Sequence, residues 1–306
     1  AFQRQGVALI PLEAGAAFMA RELASRTQSD IEVVVGAEVG EPLEVGATAD
    51  FTVTPDIAAA PQDPSANQWT PAFRREIDVD RLPVLSSHQL DGRPVVPLAL
   101  IAEWLGHGAL HAHPGLMLSG IDDMRLLKGI VVDTHSKLVR LLAGRSERVG
   151  AQFQVPTELR DGLQAGREVI HSRARAVLTE ELPSPPAYRI PRALRNGGFH
   201  RSVDEIYERI LFHGRHLRGI EEITSCQEEG MLATARPAPP PREWMSDPPR
   251  SRWIADPLAM DVAFQMASLW CYEQRGRVSL PSAWTRYRQF RQRFPQSPIR
   301  IVLEVR

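Results

Sequence analysis

Two segments of the chain are apolar at almost every position, whereas the segments around them alternate between apolar and polar residues. The first covers about residues 97–110 and the second covers residues 257–270. Because the apolar side chains of each segment cover most of a helical circumference, the pattern predicts two helices that are buried nearly all round. A helix of this kind needs a sheet curled about it, or two sheets packed against it.

Strand-like segments surround both predicted helices. The clearest is residues 168–178, where the even positions share one face and the odd positions share the other. Further strand candidates are residues 73–79, 116–121, 126–132, 137–142, 219–224, 231–235, 278–280 and 299–305. A short helix is predicted over residues 203–211, because Ser202 and Glu205 have the spacing of a capping box.

Proline-rich segments divide the chain into parts. Residues 71–182 and 198–306 form two similar blocks, and residues 183–197 link them. Residues 41–70 are a second linker by composition, and residues 1–40 are too short to bury a core of their own. We therefore predict an α+β fold of two blocks related by a pseudo-two-fold axis, each with one long apolar helix among strands. A site between the blocks could take one group from each.

Composition and charge argue against several classes of function. The formal net charge is −1, which gives no sign of a basic face for nucleic acid. No apolar run approaches the roughly 20 residues of a membrane span. Two cysteines, Cys226 and Cys271, make neither a disulfide framework nor a metal motif, which favours a reducing cytoplasm. The chain does not begin with Met, and we expect it to be a piece of a longer protein.

A histidine precedes the first predicted helix. His88 stands just before a turn that contains Gly92, and Pro97 suits the first turn of the helix. Gly92 would allow a ligand to approach main-chain N–H groups closely. On spacing alone, the simpler interpretation is that His88 is an ordinary turn residue.

A carboxyl group lies inside the second predicted helix. Asp256 is the expected N-cap and Pro257 the first helical residue, so Asp261 falls one turn inside, with Gln265 four residues later on the same face. Burial raises the pKa of a carboxyl group, which suits a general acid. Asp261 and Gln265 could also simply satisfy each other.

Together the two motifs resemble a known family. His-x-x-x-Gly-x-x-x-x-Pro from His88 to Pro97, followed roughly 170 residues later by Asp261-x-x-x-Gln265, is similar to the dehydratase domains of polyketide synthases and polyunsaturated fatty acid synthases. The resemblance covers about residues 71–306 and implies a double hotdog fold, in which each of two long helices is wrapped by an antiparallel sheet. The family often has His-Pro before the aspartate, where this chain has Asp256-Pro257.

A third family segment, Tyr-Gly-Pro followed by an aromatic residue and Gln-Gly, matches Leu211-Phe-His213-Gly214-Arg215-His-Leu217-Arg-Gly219. Both glycines are kept, and His213 stands in place of the tyrosine that lies by the substrate in the family. His213 could replace the tyrosine's hydrogen bond. The Leu-Phe-His-Gly form is closer to the polyunsaturated fatty acid synthase branch.

Residues 6–36 resemble the last helix and strand of a ketoreductase domain, so residues 1–40 would be a C-terminal remnant of one. This remnant has no cofactor site. The order of domains would follow the chemistry, because a ketone is reduced before water is eliminated.

The resemblance implies dehydration of a 3-hydroxyacyl thioester to the 2-enoyl thioester. His88 would be the base, Asp261 the acid, Gln265 would orient Asp261, and backbone N–H groups at residues 92–96 would polarise the thioester carbonyl. The domain would bind no cofactor or metal, since the acyl group arrives on the phosphopantetheine of an acyl carrier protein. Neighbouring synthase domains and a homodimer are implied in the same way. Acyl chain length, hydroxyl stereochemistry and double-bond geometry are not implied.

Two other functions fit the same residues. Product-template domains of fungal polyketide synthases use a similar pair for aldol cyclisation, although the ketoreductase-like remnant argues against a non-reducing system. The other is a catalytically silent scaffold, against which the intact His88 and Asp261 argue.

Three further clusters of residues have simpler explanations than a metal-binding or recognition site. His107, His111 and His113 are expected to be solvated at a helix end, not metal ligands. The basic and aromatic residues 286–293 are expected to form a solvated face or a docking patch for an acidic carrier protein. Trp253, Trp270 and Trp284 are expected in the core or in a tunnel wall.

Overall fold

The structure, a computed structural model, describes residues 69–132, 136–164 and 167–305. These residues lie within one compact unit, Gln62–Arg306. The ketoreductase-like remnant predicted at 1–40, and nearly all of the linker predicted at 41–70, lie outside the described residues.

The described residues alternate strands with a few helices. The strands are β1 (Trp69–Ile77), β2 (Gln89–Leu90), β3 (Arg93–Pro94), β4 (Met117–Leu126), β5 (Lys137–Gly144), β6 (Glu147–Val149), β7 (Gln152–Gln164), β8 (Arg167–Thr179), β9 (Ile220–Gln227), β10 (Gly230–Ala235), β11 (Ala283–Arg288) and β12 (Ile299–Glu304). The α-helices are α1 (Leu98–His111), α2 (Arg192–Arg195), α3 (Val203–Arg209) and α4 (Pro257–Arg275), and 3₁₀ turns span Pro83–Ser87 and Pro241–Glu243.

Helix α1 is the first predicted buried helix, and it packs against the large sheet. That sheet is antiparallel, with the strand order β1-β5-β7-β8-β4-β11 and with β6 paired to β7. Eleven of the fourteen residues of α1 are buried, among them Trp104. At Gly108 a side chain would collide with Leu141 of β5, so the glycine lets the helix approach the sheet closely.

Helix α4 is the second predicted buried helix, and it packs against the smaller sheet β12-β10-β9. The Asp256 side chain caps its first turn by accepting from the N–H groups of Leu258 and Ala259, as predicted. The helix ends at Gly276, whose φ of +67° is the left-handed conformation that glycine adopts at helix ends. The helix continues to Arg275, beyond the predicted end at residue 270. The prediction stopped early because the last residues of the helix carry no apolar periodicity.

Strand β11 belongs in sequence to the second block but pairs with β4 of the first, so the two blocks share a sheet. The buried apolar residues of both blocks also form a single cluster, and α1 and α4 contact each other. Among the described residues, none of the helices combines the length and the hydropathy that a membrane-spanning helix requires.

Two predicted strands are wrong, and five of the described strands were not predicted: β2, β3, β6, β7 and β11. Residues 127–132 form a loop, because the N–H groups of Leu127 and Lys128 both donate to the His171 carbonyl instead of continuing β4. Residues 278–280 form part of the loop before β11. Strands β6 and β7 escaped prediction because they are polar, and β7 contains Pro156.

Candidate active site

His88 is held by a small hairpin directly before α1. Asp91 and Gly92, with φ of +51° and +73°, form the two-residue turn between β2 and β3. This turn brings Val95 back to His88, so that the Val95 N–H donates to the His88 carbonyl at 2.9 Å and His88 Nδ1 lies 2.8 Å from the Val95 carbonyl oxygen. A carbonyl only accepts, so Nδ1 carries the proton of the neutral ring, and the lone pair is on Nε2.

The predicted roles of Gly92 and its neighbours need correction. Gly92 is exposed and, with its positive φ, shapes the turn. The N–H groups of Val95 and Val96 are already bonded, to His88 and Ile130, so they are not free to polarise a thioester. Pro97 is the N-cap of α1 and not its first helical residue.

Asp261 lies one turn inside α4, buried, with Gln265 beside it. Gln265 Nε2 donates to Asp261 Oδ2 at 2.7 Å and to the Leu217 carbonyl at 2.8 Å. The Tyr207 hydroxyl of α3 donates to Gln265 Oε1 at 2.7 Å and accepts from the Ile220 N–H at 2.9 Å. The amide of Gln265 is therefore fixed in one orientation. The sequence did not single out Tyr207, because the pattern of a short helix does not show which groups a tyrosine hydroxyl will contact.

His213 lies next to His88. The two residues form an isolated antiparallel bridge, and their ring centroids are 5.5 Å apart. Gly214 makes this approach possible, because a side chain there would meet the backbone of Ser87 at 2.9 Å. His213 Nε2 lies 3.5 Å from Asp261 Oδ2, and its Nδ1 is buried without a hydrogen-bond partner.

The structure thus brings His88, His213 and Asp261 together, with one nitrogen or oxygen of each lying within 4.8 Å of those of the others. They line a cavity of about 90 Å³. Its other walls are largely apolar, made by Leu90, Val95, Val96, Leu98, Leu126, Phe212, Phe264, Gln265, Ser268, Ser279, Leu280 and Pro281. Two blocks therefore contribute to one small, largely apolar chamber with three titratable groups.

Burial sets the charge of these groups. Desolvation raises the pKa of Asp261 to about 7, although the hydrogen bond from Gln265 opposes the shift. Desolvation lowers the pKa of His88 to about 4, against the opposing bond to Val95. The pKa of His213 falls to about 3 through burial and through the neighbouring His88. At neutral pH both imidazoles are neutral, and a large share of Asp261 keeps its proton.

The other predicted clusters stay outside this chamber. His107 packs against Phe73, and His113 bonds to the Ala109 carbonyl at 2.7 Å. Within residues 69–132, 136–164 and 167–305, only the cluster of His88, His213 and Asp261 has a spacing that suits a metal ion. In the basic segment 286–293, Arg288 forms an ion pair with Asp122.

Of the three tryptophans, Trp270 belongs to the buried core, whereas Trp253 and Trp284 are partly buried and pack against it. Each indole N–H donates to a backbone carbonyl: Trp253 to Pro239, Trp270 to Gln227 and Trp284 to Ile121. Trp284 also stacks on Phe264, a wall residue of the cavity.

Comparison with known proteins supports the resemblance that the motifs indicated. Residues 180–305, which include His213 and Asp261, match the family model described as the polyketide synthase dehydratase N-terminal domain. The chain is 28% identical over 311 aligned positions to one subunit of the polyunsaturated fatty acid synthase of Thraustochytrium sp., covering 99% of this chain but only 10% of that protein.

The fold has solved counterparts. The dehydratase domain from the CurK module of curacin polyketide synthase superposes with a TM-score of 0.62 at 14% identity, covering 78% of this chain and 83% of that one. Two further structures of the CurK dehydratase, one with a histidine replaced by phenylalanine and one with an aspartate replaced by asparagine, are described as inactive mutants. The predicted α+β double hotdog fold is confirmed, and so is the resemblance to these dehydratase domains.

Proposed function

We propose that this chain removes water from a 3-hydroxyacyl thioester, with His88 as the base and Asp261 as the acid. The observation that carries the proposal is the meeting of these two side chains, one from each block, in a single apolar cavity. The inactive CurK variants support the proposal. In that dehydratase of the same fold, one inactive variant lacks a histidine and the other lacks an aspartate, the two residue types that the proposed mechanism uses.

The protonation states suit the reaction. Dehydration needs a neutral base over the α-carbon and a protonated acid at the β-oxygen. Hydrogen bonding to Val95 places the lone pair of His88 on Nε2, the nitrogen that would take the α-proton. Gln265 donates to Asp261 Oδ2, so the acid proton would be carried by Oδ1. The departing hydroxyl would take this proton and leave as water.

The thioester carbonyl needs hydrogen-bond donors as the α-proton leaves. The first-turn N–H groups of a helix have no partner inside the helix. Helix α1 starts at the cavity wall with Leu98, and its N-cap Pro97 offers no side-chain oxygen to that turn. We assign the N–H groups of residues 98 and 99 to this role, with the positive end of the helix dipole adding to it.

The substrate would arrive on the phosphopantetheine of an acyl carrier protein, and the domain itself would need no cofactor. The chain spans about a tenth of the length of its polyunsaturated fatty acid synthase relative, so neighbouring synthase domains, a homodimer and a cytoplasmic setting belong to the same proposal.

The test is a dehydration assay with a 3-hydroxyacyl group on N-acetylcysteamine and on a carrier protein. Mass spectrometry should show loss of one water, and His88→Ala should abolish it while the far-UV circular dichroism stays unchanged. Near-normal turnover by a folded His88→Ala variant would refute the assignment.

The same assay separates the alternatives. An aldol cyclase would release water only from a poly-β-ketone substrate, and a silent scaffold would act on neither.

A further inference from the structure

We propose that His88, His213 and Asp261 form a binding site for a single Zn²⁺ ion, and that the bound ion inhibits the domain. The dehydration itself needs no metal, so the ion would act as a reversible blocker. Binding is independent of the proposed function, whereas its inhibitory effect rests on that function.

The donor set suits zinc. Two imidazole nitrogens and one carboxylate oxygen are a common protein set for Zn²⁺, which keeps its fourth position for water in open sites. Two ligands of a tetrahedral zinc, each about 2.0–2.1 Å from the ion, lie roughly 3.3 Å apart. His213 Nε2 and Asp261 Oδ2 are already 3.5 Å apart, and all three donor atoms lie within 4.8 Å of one another. A small shift of the rings would therefore complete the site.

The surroundings of the ligands are organised as in metal sites. A metal-binding histidine usually donates its second ring N–H to a carbonyl or carboxylate, which fixes the ring and directs the lone pair to the metal. His88 has this arrangement through Nδ1 and Val95. Asp261 is fixed by Gln265, and Gln265 is fixed in turn by Tyr207. Two of the three ligands are thus held before any ion arrives.

The site depends on the residue at position 213. Where the resembling family has tyrosine, this chain has histidine, and a neutral phenol is a much poorer zinc ligand than an imidazole. With tyrosine there, the cavity would offer two good ligands. With His213 it offers three, all buried and all lining the apolar cavity, from which a water could supply a fourth ligand.

Inhibition follows from which atoms the ion would take. Zinc on His88 Nε2 uses the lone pair that would accept the α-proton. Zinc on Asp261 requires the ionised carboxylate, which no longer has a proton to donate. A substrate could not be dehydrated until the ion left.

Zinc binding should be measured directly on the metal-free chain by isothermal titration calorimetry and by competition with a chromophoric zinc chelator. One equivalent should bind, and Co²⁺ in its place should show the visible absorption of a four-coordinate nitrogen and oxygen site. His213→Tyr should weaken zinc binding at least about 100-fold, more than the loss of an outer hydrogen bond to a ligand does. If the larger tyrosine side chain does not fit at position 213, His213→Gln provides the same test. Thermal unfolding shows whether both variants are folded.

A matched control is available on α1. His107 and His111 are spaced i, i+4 and could bind zinc by themselves. His111→Ala should leave both zinc affinity and basal dehydration unchanged. Loss of binding in His111→Ala, retained affinity in the His213 variants, or no binding by the folded wild-type chain would each overturn the proposal.

The inhibitory effect has its own readout. Zinc should suppress dehydration of the thioester with the affinity seen by calorimetry, a chelator should restore it, and Mg²⁺ should have no effect because it prefers oxygen ligands. Binding without inhibition would refute the blocking role. A chain that is inactive even with chelator would count against the proposed dehydration and leave the binding result standing.

Discussion

The two long helices each bury one carboxyl group, and the two groups differ in what surrounds them. Glu103 on α1 and Asp261 on α4 are both deeply buried, and desolvation raises the pKa of each to about 7. Glu103 accepts from the N–H groups of Ile254 at 2.8 Å and Ala255 at 2.6 Å, so it ties α1 to the chain just before α4. Asp261 accepts a hydrogen bond from the Gln265 amide, and it lines a cavity together with His88 and His213.

Burial alone therefore does not mark a functional carboxyl group. Both of Glu103's oxygens are engaged by backbone donors, so it has a structural role in joining the two blocks. Asp261 lines the cavity, so it can exchange a proton with a ligand bound there. The following variants should separate the two roles, beginning with the largest effect.

Asp261→Asn should lower the rate of dehydration by about 10²–10⁴-fold, because the amide cannot donate the acid proton. Its stability should be unchanged or slightly higher, because a buried carboxyl group costs free energy that the amide does not. Thioester turnover and urea unfolding measure the two effects. A rate within a few-fold of wild type would remove Asp261 from the mechanism.

Glu103→Ala should show the opposite profile. Two backbone N–H groups lose their acceptor and a cavity opens, so the free energy of unfolding should fall by about 2–4 kcal/mol. Turnover per folded molecule should stay near wild type. If activity is lost while stability is kept, the structural role assigned to Glu103 is wrong.

The pH dependence of stability provides a finer comparison. The pKa of Glu103 is raised in the folded protein from 4.5 to about 7, so the folded state binds more protons than the unfolded state between these pH values. The contribution is therefore favourable at low pH and is lost as pH rises toward 7, by no more than about 3 kcal/mol. Asp261 contributes with the same sign.

Other charges near Glu103 modify this contribution without reversing it. The two backbone N–H bonds and Arg250 lower its pKa, whereas Asp256 raises it, and the Tyr287 hydroxyl nearby stays neutral because its own pKa is raised. Glu103→Gln should lower stability throughout but flatten its decline between pH 5 and 7, as urea titrations at several pH values would show. An unchanged slope would mean that Glu103 keeps an ordinary pKa.

Tyr207→Phe should have the smallest effect. The hydroxyl fixes Gln265, and its loss frees the amide to rotate away from Asp261. One hydrogen bond of about 0.5–1.5 kcal/mol corresponds to a decrease in kcat of roughly 2–10-fold. KM should not change, because Tyr207 does not line the cavity. A change in KM alone would point to substrate contact instead of positioning.

Those parts of the fold and of the site that depend on local chemistry could be predicted from the amino-acid sequence. The two buried helices follow from apolar residues all round a helical turn, and the Asp256 cap follows from a short polar residue before Pro257. The placement of Asp261 and Gln265 on one face follows from the i, i+4 spacing. His88 before its turn could be singled out because the Asp91–Gly92 pair predicts a tight reversal.

Contacts between residues far apart in the chain could not be predicted, because they depend on how the two blocks pack. Strand β7 is polar along much of its length and is a strand because β5 and β8 pair with it on both sides. Glu103 attracted no notice in the sequence, since its partners are backbone N–H groups some 150 residues away. The approach of His213 to His88 and Asp261 likewise depends on packing at Gly214. Periodicity and capping are properties of neighbouring residues, whereas these contacts exist only after the two blocks pack together.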